Sequence, residues 1–257
     1  MSGLGRYALV VGLSLMATAC GKKGALIYPD MLVPAAPSAM AVRQSGSLVK
    51  LSFTIPDKDL AGRSVRNLAG LKISRKAAET EQENVCRSCT ADYRPFRTLY
   101  LDHLPSGTQR FKNLMTVLDS DVSAGTSYWY TIVPFTTDDM DGAPSTTAAV
   151  HVVTPFPAPH LKMESHPTEL RLHTSSQPAT AGNLLGYNLY RWSAADAKSY
   201  LPLNRDVLKS VDYVDSDLER GVRYRYSART LYTLPSGDVV ESAESNEVEG
   251  GLADDEE

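Results

Sequence analysis

Three cysteines and five histidines are the residues of this chain best suited to nucleophilic, redox or metal chemistry. Cys86 and Cys89 form a C-x-x-C in "NVCRSCTADYRPF", a spacing that serves a redox pair, half a zinc site, a haem attachment or a local disulfide. Haem attachment requires His after the second Cys, and Thr90 stands there. Zinc requires two further ligands, and His103 is the one imidazole nearby in sequence. Thioredoxin-like chemistry places its first Cys at a helix N-terminus of an α/β fold, which the pattern of this chain does not offer. A disulfide between Cys86 and Cys89 in an oxidising compartment is the favoured expectation, with thiol-redox or metal handling at the same pair as an alternative. So short a loop adds at most about 2 kcal/mol on the chain-entropy estimate. His103, His151, His160, His166 and His173 lack metal spacing, and no G-x-S-x-G, P-loop or H-E-x-x-H occurs. The expectation is a non-enzyme with no catalytic residue, metal or cofactor.

The third cysteine, Cys20, has different surroundings. One positive charge at Arg6 precedes "YALVVGLSLMATA", residues 7–19, which carry no charge. The run is shorter than the roughly 20 apolar residues of a membrane-spanning helix and fits the apolar core of a secretory signal. With Ala17, Thr18 and Ala19 before Cys20, the stretch resembles the lipobox of bacterial lipoproteins, although Ala17 replaces the usual Leu. The resemblance implies cleavage before Cys20, diacylglycerol on its thiol and an N-acyl chain, palmitate-type, on its new amine. Two or three chains hold a membrane stably where one holds marginally. Membrane lipid is then a partner through Cys20. Gly21 rather than Asp after the anchor implies, by the sorting pattern of enterobacterial lipoproteins, the outer membrane facing the periplasm.

Without residues 1–19 the chain carries 25 basic and 30 acidic residues, a net of −5. No basic stripe appears, so nucleic acid is not an expected partner. Residues 251–257 end in Asp254, Asp255, Glu256 and Glu257, a solvated acidic tail. Residues 20–40 hold three prolines and no periodic apolar face, which reads as a lipidated Cys followed by a tether; extended over 21–40 at about 3.1 Å per residue it reaches roughly 60 Å. A second proline-rich stretch, "TPFPAPH" at 154–160, reads as a stiff joint, with the linker at 155–160.

On either side of that joint the chain repeats itself. "VLDSDVSAGTSYWYTI" at 117–132 aligns with "YVDSDLERGVRYRYSA" at 213–228, offset by 96, and "LAGLKISRKA" at 68–77 aligns with "LLGYNLYRWS" at 184–193, offset by 116. The difference marks an insertion, carrying Cys86 and Cys89, after the third strand of the first copy. Both copies alternate as β-strands do: Val49, Leu51, Phe53 and Ile55 against Lys50, Ser52 and Thr54, and Leu170 and Leu172 between Glu169, Arg171 and His173. One apolar and one polar face per strand predicts antiparallel sandwiches.

The stretches "VSAGTSYWY" and "LERGVRYRY" resemble the turn and sixth strand of fibronectin type III domains, with Tyr128 and Tyr224 at the structural tyrosine-corner position. Phe53 and Leu172 stand where that family usually carries a buried Trp. The resemblance implies an all-β chain with two tandem immunoglobulin-like, fibronectin type III sandwiches, domain 1 at 41–154 and domain 2 at 161–250.

In domain 2 the alternation sets Arg223, Arg225 and Arg229 on the face opposite Tyr224 and Tyr226, and Tyr190 and Trp192 opposite Tyr187 and Leu189. The expected result is an exposed cation–π ladder of arginines between aromatics. It either covers its own sheet or forms a docking face for an acidic protein or glycan partner in the envelope. "CGKKGALIYP", including Tyr28, is similar to the start of the LptM family of envelope lipoproteins, which implies association with the lipopolysaccharide-assembly translocon. A basic spacer beside an anionic membrane is the other reading of those residues. The leading expectation is an anchored envelope lipoprotein whose sandwiches serve as a structural and protein-interaction module, with an accessory role in lipopolysaccharide assembly as an alternative.

Overall fold

The computed structural model describes residues 28–78, 92–178 and 182–254, and every regular element longer than a single 3-10 turn within them is a β-strand. Cys20, Cys86 and Cys89 lie outside the described residues.

Domain 1 comprises β1 (Ser38–Ser45), β2 (Leu48–Thr54), β3 (Leu68–Ala78), β4 (Arg94–Tyr100), β5 (Thr108–Phe111), β6 (Leu114–Asp119), β7 (Ser127–Thr136) and β8 (Ala148–His151). Its two layers run β1-β2-β6-β5 and β4-β3-β7-β8. The alternation of β2 has the consequence expected of it: Val49, Leu51 and Phe53 are fully buried and meet Leu71, Ile73, Met115, Val117, Tyr130 and Ile132 between the layers. Domain 2 comprises β9 (His160–Ser165), β10 (Leu170–Ser175), β11 (Asn183–Ser193), β12 (Asp212–Asp215), β13 (Tyr224–Thr233), β14 (Val239–Glu241) and β15 (Val248–Gly250). The layer β12-β10-β9 faces β11-β13, with β14 and β15 both pairing β13. Leu161, Leu170, Leu172, Leu189, Tyr226 and Ala228 fill the space between.

The repeat in sequence is a repeat in structure, and its recurring residues explain themselves. Asp119 accepts the Tyr130 hydroxyl at 2.8 Å and the Arg75 guanidinium at 2.8 Å; Asp215 accepts the Tyr226 hydroxyl at 2.8 Å and the Arg191 guanidinium at 2.9 Å. Each arginine also lies over the corner tyrosine, 5.3 Å from Tyr128 and 5.4 Å from Tyr224. The corner hydroxyls close on the backbone N–H of Ser123 at 2.9 Å and of Glu219 at 3.1 Å. Gly70 and Gly186 occupy one further shared position, each at a register shift on the third strand of its domain. A Cβ there would stand 2.1 Å from the Leu99 carbonyl oxygen or 2.2 Å from that of Leu208, so the crossing chain requires glycine.

The two domains share hydrogen-bonded sheet. β14 of domain 2 pairs in parallel with β1 of domain 1 at Ser45 and Glu241, and the Gly46 N–H donates to the Glu241 carbonyl at 3.0 Å. The result is one eight-stranded sheet, β11-β13-β14-β1-β2-β6-β5 with β15 beside β13, running through both sandwiches. The proline-rich joint is pinned from both sides. The Gln44 amide, itself buried, bonds both the N–H and the carbonyl of Val153, at 2.8 and 2.7 Å. Phe156 stacks on Tyr232 with ring centroids 4.4 Å apart in a small separate core with Val240.

One boundary differs from the expected one. Residues 28–37, expected as free tether, lie against domain 1 with Pro34 and Pro37 buried, and β1 opens at Ser38, ahead of the expected start at 41. The apolar character of those prolines finds a surface that no periodicity could announce.

Candidate functional site: the seam between the sandwiches

β2 presents Lys50 on the face opposite its core residues, and β11 presents Asn188 and Tyr190 in the same sense. Because the shared sheet continues from one strand to the other, these polar faces converge instead of meeting solvent. Glu241, at the end of β14, sits at their centre. Its carboxylate accepts hydrogen bonds from Ser45 Oγ at 2.5 Å, Asn188 Nδ2 at 2.7 Å, the Tyr190 hydroxyl at 2.7 Å and Lys50 Nζ at 3.0 Å. Lys50 Nζ donates a second bond to the Tyr190 oxygen at 2.9 Å.

Burial alone would raise the Glu241 carboxyl; the Lys50 ammonium, with the Ser45, Tyr190 and Asn188 donors, outweighs it and holds the group down at about 2. Burial also pulls the Lys50 ammonium below its ordinary range even with Glu241 beside it. The Tyr190 hydroxyl is pushed well up, by burial first and then by the carboxylate it serves.

The 194–204 segment, between β11 and β12, closes this face. Gln109 of β5 reaches it across the domain boundary, accepting from the Tyr200 N–H at 2.8 Å and donating to the Lys198 carbonyl at 3.4 Å. The Asn204 amide ties the segment back to β11 through the Leu189 N–H at 2.8 Å and the Asn188 side chain at 3.0 Å. Lys198 Nζ lies 2.7 Å from both Glu244 and Glu247, and Glu244 also takes Arg229 at 3.2 Å. Two cavities of about 170 and 200 Å3 flank Lys50 and Tyr200. Each of these charges is committed to a neighbour, so the chemistry this arrangement performs is cohesion between domains.

The interaction residues expected from the sequence therefore separate into two groups. The facing read from the alternation holds: Trp192 pairs across the strands with Arg225, and Tyr190 with Ser227. The exposure does not. Tyr190 is 3% and Trp192 7% exposed, because domain 1 and the 194–204 segment cover that face. The cations over the rings are lysines instead of the expected arginines: Lys50 Nζ is 5.1 Å from the Tyr190 centroid and Lys198 Nζ 5.0 Å from that of Trp192. Arg229 is drawn into the seam, donating to the Ser242 carbonyl at 2.8 Å and to Glu244. Arg223 and Arg225 do face solvent, both bound to Glu249, at 2.8 and 2.9 Å. Tyr28 is exposed, at the start of the docked segment.

Nothing in the sequence singles out Lys50, Glu241, Asn188 or Gln109. Lys50 reads there as the wet side of an amphipathic strand, and Glu241 as one of several acidic residues in a hairpin. Arg75 and Arg191 do carry a signal, since each holds the same place in its copy of the repeat. Among the described residues no group of His, Cys, Asp and Glu is placed to hold a metal ion, and no helix is long and apolar enough to cross a membrane.

Strand order, layer pairing and the two tyrosine corners define a pair of fibronectin type III-like β-sandwiches joined through one sheet. No protein-family model and no curated protein matches the sequence. Among solved structures the chain is similar to the crystal structure of chicken CNTN1 FN1-FN3 domains, with 15% identity over 86% of this chain and 68% of that one and a TM-score of 0.34.

Proposed function

We propose that this chain is a membrane-anchored envelope lipoprotein whose two sandwiches act together as a rigid structural and protein-interaction module. The observation that carries the module is the shared sheet: the Ser45 and Glu241 pairing, the pinned joint and the covered seam each tie one half to the other and oppose a swivel. Rigid spacing of surfaces is what such a body supplies to a partner, and the fold alone does not select the partner. Anchoring is supported by the charge-free run before Cys20 and the small residues that adjoin it. An outer-membrane address facing the periplasm follows the same reading through Gly21.

Fatty-acid feeding and fractionation of a diderm bacterium expressing the full chain test the anchor. The intact protein takes up label and sediments with membranes, and Cys20→Ala abolishes both. Label-free protein in the soluble fraction would overturn the reading.

A further inference from the structure

The docked segment 28–37 is stitched to domain 1 through its backbone while it leaves side chains uncovered. The Ala35 N–H donates to the Lys58 carbonyl at 2.9 Å, the Leu60 N–H to the Val33 carbonyl at 3.1 Å, and the Ala61 N–H to the Met31 carbonyl at 3.1 Å. On the other side, the Ala143 N–H donates to the Pro34 carbonyl at 2.9 Å. The approach is close enough that a Cβ on Gly142 would stand 2.5 Å from that same carbonyl oxygen. Two loops, 55–67 and 137–147, thus grip the segment at the end of domain 1 where β1 begins.

None of Pro29–Leu32 is buried. Tyr28 is 58%, Leu32 37% and Leu60 47% exposed, and the backbone bonds of residues 31–33 to residues 60 and 61 set the two leucines on adjoining chains. Domain 2 lies toward the other end, for β1 runs from Ser38 here to Ser45, where it meets Glu241.

Chain length chooses the occupant of this apolar edge. Eight residue steps separate Cys20 from Tyr28, and even a fully extended chain covers only about 29 Å in that number. We propose that this end of domain 1 is a lipid-facing foot, with Tyr28, Leu32 and Leu60 set against the headgroup layer of the bilayer that holds Cys20. The proposal rests on the lipoprotein reading above. Tyrosine suits this boundary because one end of its side chain is apolar and the other wet. The anchor holds the foot at high effective concentration against lipid, so a small patch is enough to engage. Asp30, in the exposed Pro29–Leu32 turn between Tyr28 and Leu32, opposes insertion deeper than the headgroups because a carboxylate is costly to desolvate.

The full-length lipidated protein, reconstituted in phosphatidylethanolamine and phosphatidylglycerol vesicles that carry a headgroup quencher, tests this with a genetically encoded fluorophore at position 58, exposed in the same loop as Leu60, or at position 216. Position 216 follows β12, whose Asp215 pairs with Leu170 beside Ser165, at the end of β9 away from the joint. Quenching at least threefold stronger at 58 than at 216, reduced by Leu32→Asp with Tyr28→Ser while the protein still floats with vesicles, is expected. Equal quenching at the two positions in vesicle-bound protein overturns the foot and leaves the anchor standing. Protein that does not float overturns the anchor, and the foot with it.

Discussion

Lys50 of domain 1 and Glu241 of domain 2 meet at 3.0 Å, 191 residues apart in the chain, with the Tyr190 hydroxyl bonded to both. The Glu241 side chain is wholly buried. Removing one member of a buried pair strands the other, at about 3–5 kcal/mol, whereas replacing both with apolar residues of similar volume is often close to neutral. Glu241→Ala therefore destabilises the purified protein by about 3–5 kcal/mol in urea unfolding. The double variant Lys50→Met with Glu241→Met recovers most of that loss, although Ser45 and Asn188 keep it short of full recovery.

Acid acts on the same carboxylate. Glu241 is held at about 2 against an ordinary 4.5, with burial opposing and Lys50 and three neutral donors prevailing. A depressed folded-state value means the stabilisation is fully present above pH 4.5 and is lost as pH falls from 4.5 toward 2. One proton taken up on unfolding corresponds to a slope of about 1.4 kcal/mol per pH unit in that window. Glu241→Gln lowers stability at neutral pH and removes up to that much slope between pH 4.5 and 2, as read from unfolding midpoints at stepped pH.

The two tyrosine corners share geometry and differ in surroundings. Tyr128 is buried and its bond from the Ser123 N–H is partly buried, while Tyr224 is half-buried and its bond from the Glu219 N–H is exposed. A buried donor left unmet costs about 1–3 kcal/mol, and an exposed one turns to water. Tyr128→Phe is expected to cost about 1–2 kcal/mol and Tyr224→Phe less than about 0.5, compared by thermal and chemical denaturation.

Trp192 and Arg225 face each other across β11 and β13, yet only the first is buried. Trp192→Ala opens a cavity under Lys198 and costs about 3–5 kcal/mol. Arg225 shares Glu249 with Arg223 at the surface, where exposed pairs contribute about 0–1 kcal/mol. Arg225→Ala leaves stability within about 1 kcal/mol of the parent, measured in the same denaturation series.

Most of the sandwich architecture was legible because it is written in period two and in repetition. Leu51, Phe53, Leu170 and Leu172 are buried as their alternation requires, and Asp119 and Asp215 recur because each ties a tyrosine to an arginine. The seam was not legible. Alternation tells which side of a strand Tyr190 takes, and nothing local tells that Lys50, 140 residues away, will cover it. The docking of Pro34 and Pro37 escaped for the same reason, since a proline-rich stretch without periodicity looks alike whether it is free or held.

The parallel pairing of Ser45 with Glu241 also bears on the order in which the chain can complete itself. The Oγ of Ser45 waits for a carboxylate 196 residues downstream, and contacts this distant form late because the intervening loop must close before they are rewarded. A chain emerging N-terminus first carries the Ser45 end of β1 unpaired on its outer side until β14 arrives. During early folding that end of the strand is an open edge available for pairing with another chain, and β14 of domain 2 is what covers it.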